Sequence, residues 1–153
     1  MAAANTYLLD TAILLHWVRG SKVAQTIDSQ FQLTTSSFRP LICEVSLGEI
    51  EAFARGEKWG EAKRNKLKEL KKELVAVDIS DGRVIDAFAD ISTLAKSNGL
   101  AIFNDKNDLW IAAATRVTGA TLLSTDKTAF LPLRNGKHLD VIVLDAMTGL
   151  PLP

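Results

Sequence analysis

Tyr7-Leu8-Leu9-Asp10-Thr11, near the start of the chain, and Thr121-Leu122-Leu123-Ser124-Thr125-Asp126, near its end, are the two stretches on which the fold depends. In each, a short apolar run gives way to an acid beside small hydroxyl residues. Runs this short, bounded by polar residues, fit strands covered on both faces. Strands of that kind belong to a parallel sheet, and the segments between them must then be crossover helices.

Working outward, the sequence predicts a helix from Asp10 to about Arg19 that Gly20 stops, because glycine accepts the left-handed conformation at a helix end. A short helix follows from about Ser21 to Gln30, then a second apolar run at Arg39 to Cys43 and a helix from about Glu44 to Arg55, which Gly56 breaks. Trp59 to Glu73 carries a narrow apolar stripe (Trp59, Ala62, Leu67, Leu70, Leu74), which places it at the periphery. Leu74 to Val77 is the third strand. Asp81 caps a long helix whose apolar residues Val84, Ile85, Phe88, Ile91, Leu94 and Ala95 recur at helical spacing up to Asn98-Gly99. A polar loop, Asn104 to Asn107, precedes a helix from Asp108 to about Val117. The fourth strand is Thr121 to Ser124; a short turn with Phe130 leads to a fifth at Val141 to Leu144.

The 153 residues fit one domain, 1–153, with no repeat and no linker rich in Pro, Gly or Ser. Cys43 is the single cysteine and has no partner, which suits a reducing, cytoplasmic setting; its apolar surroundings favour packing over a nucleophilic role. The apolar stretch Tyr7 to Val18 is too short to span a membrane, contains Asp10 and lacks a basic leader. With 18 basic and 18 acidic residues the net charge is zero, so any attraction to a polyanion must be local. The strongest local candidate is Lys58 to Lys72, with Lys63, Arg64, Lys66, Lys68 and Lys71. Glu57, Glu61, Glu69 and Glu73 are interleaved there, and a solvated face laced with ion pairs explains the pattern as well.

Asp10, Glu49, Asp108 and Asp126 stand near helix starts, and each has a structural reading. Asp10 and Asp126 suit helix or turn caps, and Asp108 suits a first helical turn, where the macrodipole favours negative charge. Glu49 completes a capping-box pattern, Ser46-Leu47-Gly48-Glu49, that would turn its side chain back to a backbone amide. The functional reading concerns the set. In a doubly wound sheet the first and fourth strands can be neighbours at the switch point, beyond whose carboxyl ends ligands bind. Carboxylates gathered there repel and call for a hard divalent cation.

Four blocks, Tyr7-Leu8-Leu9-Asp10-Thr11, Cys43-Glu44-Val45-Ser46-Leu47-Gly48-Glu49-Ile50, Asn107-Asp108-Leu109-Trp110-Ile111-Ala112-Ala113-Ala114 and Leu122-Leu123-Ser124-Thr125-Asp126-Lys127, occur in one order across nearly the whole chain. In them the chain resembles the PIN-domain nucleases and, among these, the VapC-like toxins of type II toxin-antitoxin systems. The resemblance implies a three-layer α/β/α sandwich with a parallel five-stranded sheet in order 3-2-1-4-5, a Mg²⁺ or Mn²⁺ site, and cleavage of RNA. It assigns the four acids to Asp10, Glu49, Asp108 and Asp126 and supporting hydroxyls to Thr11 and Thr125. Glu44 and Asp105 are additional acids outside the core set, Asp105 the nearer auxiliary.

On this reading Asp10 and Asp108 ligate the principal metal, Asp126 completes the shell or acts through water, and Glu49 positions a second ion or the attacking water. A cognate antitoxin and a homodimer are the implied partners; Trp17, Phe31 and Trp59 are aromatics that suit either an interface or the core. His16 and His138 read as helix-surface and loop residues without a chemical role. A phospho-acceptor receiver domain needs an acidic pair near the first strand, where this chain has Leu8 and Leu9, and a haloacid-dehalogenase-like phosphatase needs an acid where Ala12 stands. The remaining alternative is a catalytically inactive PIN fold used as a nucleic-acid or protein binding module.

Overall fold

Five short strands, β1 (Tyr7–Leu9), β2 (Leu41–Cys43), β3 (Val75–Val77), β4 (Thr121–Ser124) and β5 (Val141–Val143), form one parallel sheet in the order β3-β2-β1-β4-β5. This computed structural model describes residues 5–153. The implied order 3-2-1-4-5 is therefore present, with β1 and β4 side by side in the register Leu8↔Leu122 and Leu9↔Leu123.

Alternate strand residues point to opposite faces, and each face has its own core. On one, Leu8, Cys43, Leu122, Val141 and Val143 pack against α5 (Gly82–Ser97), α6 (Lys106–Thr118) and α7 (Lys127–Asn135) through Ile91, Leu109 and Phe130. On the other, Leu9, Ile42 and Leu123 pack against α1 (Thr11–Arg19), α2 (Lys22–Phe31), α3 (Glu44–Gly56) and α4 (Glu61–Lys72) through Ile13, Ile27, Ile50 and Leu67. The result is the expected α/β/α sandwich. Gly20 and Gly119 end α1 and α6 in the left-handed region, with φ of 62° and 68°.

Several expectations need correction. Trp17 and Trp59 are buried in the second core, so neither offers an interface, while the partly buried Phe31 packs edge-on against Tyr7 with ring centroids 5.1 Å apart. Ile85 belongs to the apolar repeat of α5 yet is 46% exposed. The polar quartet Asn104 to Asn107 is not a loop: a 3-10 turn, Ala101–Asn104, leads directly into α6, which starts at Lys106 because the Asp105 carboxylate accepts from the Asp108 N–H at 3.1 Å. The turn expected around Phe130 is the nine-residue α7, with Pro132 inside it. Cys43 is fully buried, and desolvation pushes its thiol up to about 11, in keeping with packing. Among the described residues no helix is long and apolar enough to cross a membrane.

Candidate active site

Asp10 follows β1 at the carboxyl edge of the sheet, and its backbone N–H donates to the Leu123 carbonyl at 3.0 Å, one step past the last paired strand residues. Its side chain is 7% exposed. Oδ1 accepts from the Thr11 N–H at 2.7 Å, which caps α1, and Oδ2 accepts from the Ser124 hydroxyl at 2.6 Å. Asp10 is thus a cap and also part of a polar cluster. The fully buried Ser124 accepts in turn from the Asp126 N–H at 2.9 Å, which fixes the chain just before α7. Asp126 caps α7 by accepting from the Ala129 N–H at 2.9 Å and leaves its other oxygen outside that bond.

Glu49 lies in the second turn of α3, not near its start, because α3 leaves β2 without a side-chain cap at Cys43. The capping-box reading therefore does not hold. Ser46 is fully buried inside the helix, and Glu49 reaches across to α1, where its Oε1 lies 2.7 Å from Thr11 Oγ1. The same Oγ1 lies 2.8 Å from Ser46 Oγ. A hydroxyl carries one proton; Thr11 gives it to the carboxylate, and Ser46 can donate to Thr11. Asp108 occupies the first turn of α6 and is half-buried.

The four carboxylates share one electrostatic neighbourhood. Burial, then the charges of Glu49 and Asp126, outweighs two hydrogen bonds and pushes Asp10 up to about 6. Burial, followed by the charges of Asp10, Asp105, Asp126 and Glu49, pushes Asp108 up to about 8. Asp105 belongs to this neighbourhood as well. Glu44 does not act there; its Oε2 accepts from the Ile79 N–H at 3.1 Å and ties the end of β3 to α3. Thr125 is not the supporting hydroxyl that it resembles: that place is taken by Ser124, whose position opposite Asp10 in the parallel ladder was the available signal. Ser46 was legible only as part of a capping box.

Among the described residues none of the ion pairs involves Asp10, Glu49, Asp108 or Asp126. Nor do any three His, Cys, Asp or Glu there stand close enough to hold a metal ion between them as they are. Like charges without a counterion keep apart or take up protons. The donors are all oxygens, in a half-buried setting with excess negative charge, and in kind they fit a hard divalent cation.

The PIN domain family model matches residues 7–131 of the chain. No curated protein matches it. Solved structures with the same fold include the VapBC2 complex from Rickettsia felis bound to a DNA fragment from its promoter, at TM-score 0.73 and 20% identity over 89% of this chain and 96% of that one. VapBC-1 from nontypeable Haemophilus influenzae follows at TM-score 0.72 and 19% identity, covering 90% and 97%. A toxin-antitoxin complex from Klebsiella pneumoniae superposes at TM-score 0.65 and 15% identity, covering 90% and 97%.

Proposed function

The chain belongs to the PIN domain family, and from that premise we propose that it is a metal-dependent endoribonuclease, the toxin of a toxin-antitoxin pair acting in the cytoplasm. The observation that carries this reading is the pair Asp10 and Asp108 at the carboxyl edge of the sheet, whose carboxyl groups are pushed up by burial and by the charges of neighbouring acids, Glu49 and Asp126 among them. Asp10 and Asp108 would hold Mg²⁺ or Mn²⁺, with Asp126 completing the set directly or through water. A divalent ion bound there would polarise the phosphodiester and neutralise charge developing on the departing oxygen.

The chain's own groups have separate tasks. Ser124 and the Thr11 N–H fix both oxygens of Asp10, so its orientation is set before anything binds. Thr11 holds Oε1 of Glu49, and Oε2 is left to orient the water that attacks in line. Asp126 is held at Oδ1 by the start of α7 and presents its other oxygen.

A cognate antitoxin is part of the proposal; it is supported by the toxin-antitoxin character of a structure sharing the fold. A homodimer is proposed too, from family resemblance alone now that Trp17 and Trp59 are buried; sedimentation at micromolar concentration tests it, and a strict monomer removes it. The activity is tested by incubating single-stranded and structured RNA with the protein in Mg²⁺, Mn²⁺ or EDTA. Cleavage that needs the metal and is lost in Asp10→Asn is expected. Intact RNA under every condition would overturn the nuclease reading and leave a binding module.

A further inference from the structure

The buried polar side chains among the described residues are Asp10, Ser46, Thr115 and Ser124. Asp10 and Ser124 satisfy each other at the site, and Thr115 is accounted for by its own helix. Its hydroxyl donates to the Ile111 carbonyl, four residues back, at 2.8 Å, and Thr118 does the same with Ala114 at 2.8 Å. Ser46 has no such outlet. It is the third residue of α3, and four residues before it the chain is still strand β2. Its one side-chain hydrogen bond among the described residues crosses to another helix, to Thr11 Oγ1 at 2.8 Å.

Valence sets the direction of that bond. The Glu49 carboxylate has no proton to give, so Thr11 donates across the 2.7 Å to Oε1 and thereby uses its single hydroxyl proton. Towards Ser46 the Thr11 oxygen can only accept, and Ser46 donates. A directed chain of two hydrogen bonds thus runs from the core, through Thr11, to Glu49. Bonds in series polarise one another, so the Ser46 donor strengthens the grip of Thr11 on the carboxylate. Ser46 also occupies the Thr11 lone pair, which leaves the Thr11 proton aimed at Glu49. The effect is selective: Asp10 is bound by the Thr11 backbone N–H at 2.7 Å, which does not turn with the hydroxyl.

We propose that Ser46 is a positioning residue that, acting through the Thr11 hydroxyl, fixes the Glu49 carboxylate from behind, as Ser124 does for Asp10 directly. This deepens the nuclease reading and rests on it for the task of Glu49, the orientation of the attacking water. A serine that only joins α3 to α1 is the competing explanation.

The test has two readouts on the whole protein. The first is NMR of isotopically labelled glutamate carboxyl groups in EDTA, with the Glu49 resonance identified by its disappearance in Glu49→Gln. Ser46→Ala should shift that resonance, and should add nothing once Thr11→Val has removed the hydroxyl between them, which a merely structural role would not produce. The second is cleavage of single-stranded RNA in Mg²⁺ or Mn²⁺. Ser46→Ala should lower kcat about fivefold, the worth of one neutral hydrogen bond, and leave KM unchanged. Thr11→Val should lower kcat about ten- to a hundredfold, with no added loss from Ser46→Ala. Ser46→Cys fills nearly the same space with a weak donor; it should match Ser46→Ala, and it carries the comparison if the alanine variant does not fold. An unmoved Glu49 resonance, an equal shift in the Thr11→Val background, or wild-type kcat in the folded variants would each overturn the proposal. A Glu49 resonance that answers to Ser46 only through Thr11, in a protein that cleaves no RNA with either metal, would retain the positioning and remove the nuclease.

Discussion

Ser124 Oγ donates to Asp10 Oδ2 across 2.6 Å, between residues that directly follow the paired positions Leu123 and Leu9 of the two central strands. The sheet register thus continues as a side-chain bond at the point where the backbone ladder ends. Because Ser124 is fully buried and also accepts from the Asp126 N–H at 2.9 Å, one hydroxyl sets the relation between two of the acids.

Ser124→Ala tests that relation. The bond to Ser124 is the largest influence holding Asp10 down against burial, so its loss should raise the Asp10 carboxyl further above about 6. A hydrogen bond to a charged group contributes about 1.5–3 kcal/mol, and a fall in stability of that size is expected at alkaline pH, where Asp10 is charged. Calorimetric titration with Mn²⁺ should show weakened binding near pH 6 and partial recovery near pH 8. Equal affinity for wild type and variant at both values would remove Ser124 from the site.

The metal-free protein should lose stability as pH rises. Asp10 and Asp108 have folded values of about 6 and about 8 against an ordinary 3.8, so between those limits the folded state binds more protons than the unfolded one. Stability is then greatest at the acid end of the window and declines through pH 6 and on to pH 8. A divalent ion should reverse the decline, and at a hundredfold excess over its dissociation constant it contributes about 2.7 kcal/mol. Thermal melts at pH 5, 6.5 and 8.5, in EDTA and in Mn²⁺, check both statements; a flat profile in EDTA would contradict them.

The strands were legible because their apolar runs are short, sharply bounded and separated by helical spacing, and the family blocks implied their order. What escaped was local. Pro132 masked α7: a proline in a nine-residue segment lacks one backbone donor, and the Asp126 cap together with the buried Ala129, Phe130 and Leu133 holds the helix. Asn104 to Asn107 looked like a loop because Asp105 was not recognised as the cap of α6. Ser46-Leu47-Gly48-Glu49 looked like a capping box because nothing in sequence shows that Thr11, 38 residues from Glu49, supplies its partner. The acids were visible individually; the effect of their charges on Asp10 and Asp108 depends on distances that only the folded chain provides.

Asp10→Asn separates a cap from a member of the site. Asparagine keeps an acceptor for the Thr11 N–H, now 2.7 Å away, and removes a charge that helps raise Asp108. The variant should be at least as stable as the wild type in EDTA at pH 8, gain little from Mn²⁺, and lose RNA cleavage. Full cleavage with a lowered melting temperature would leave Asp10 a helix cap alone.

The proposed antitoxin should act on the same charges. A group of four acids, none of them ion-paired among the described residues, is complementary to a guanidinium, whose planar donors match a carboxylate at both oxygens. An antitoxin segment lying across the acidic site and the helices between Ser21 and Arg55, with an Arg or Lys reaching Asp10 and Asp108, would lower both carboxyl groups and exclude the metal. The complex should therefore lose the pH-dependent destabilisation expected of the free protein, and Mn²⁺ should no longer raise its melting temperature. In cells, the wild type expressed alone should arrest growth, Asp10→Asn should not, and the proposal requires a small antitoxin reading frame beside the gene whose co-expression restores growth. Equal growth with and without that frame, while soluble wild-type protein accumulates, would remove the toxin assignment and leave the nuclease reading to its own assay.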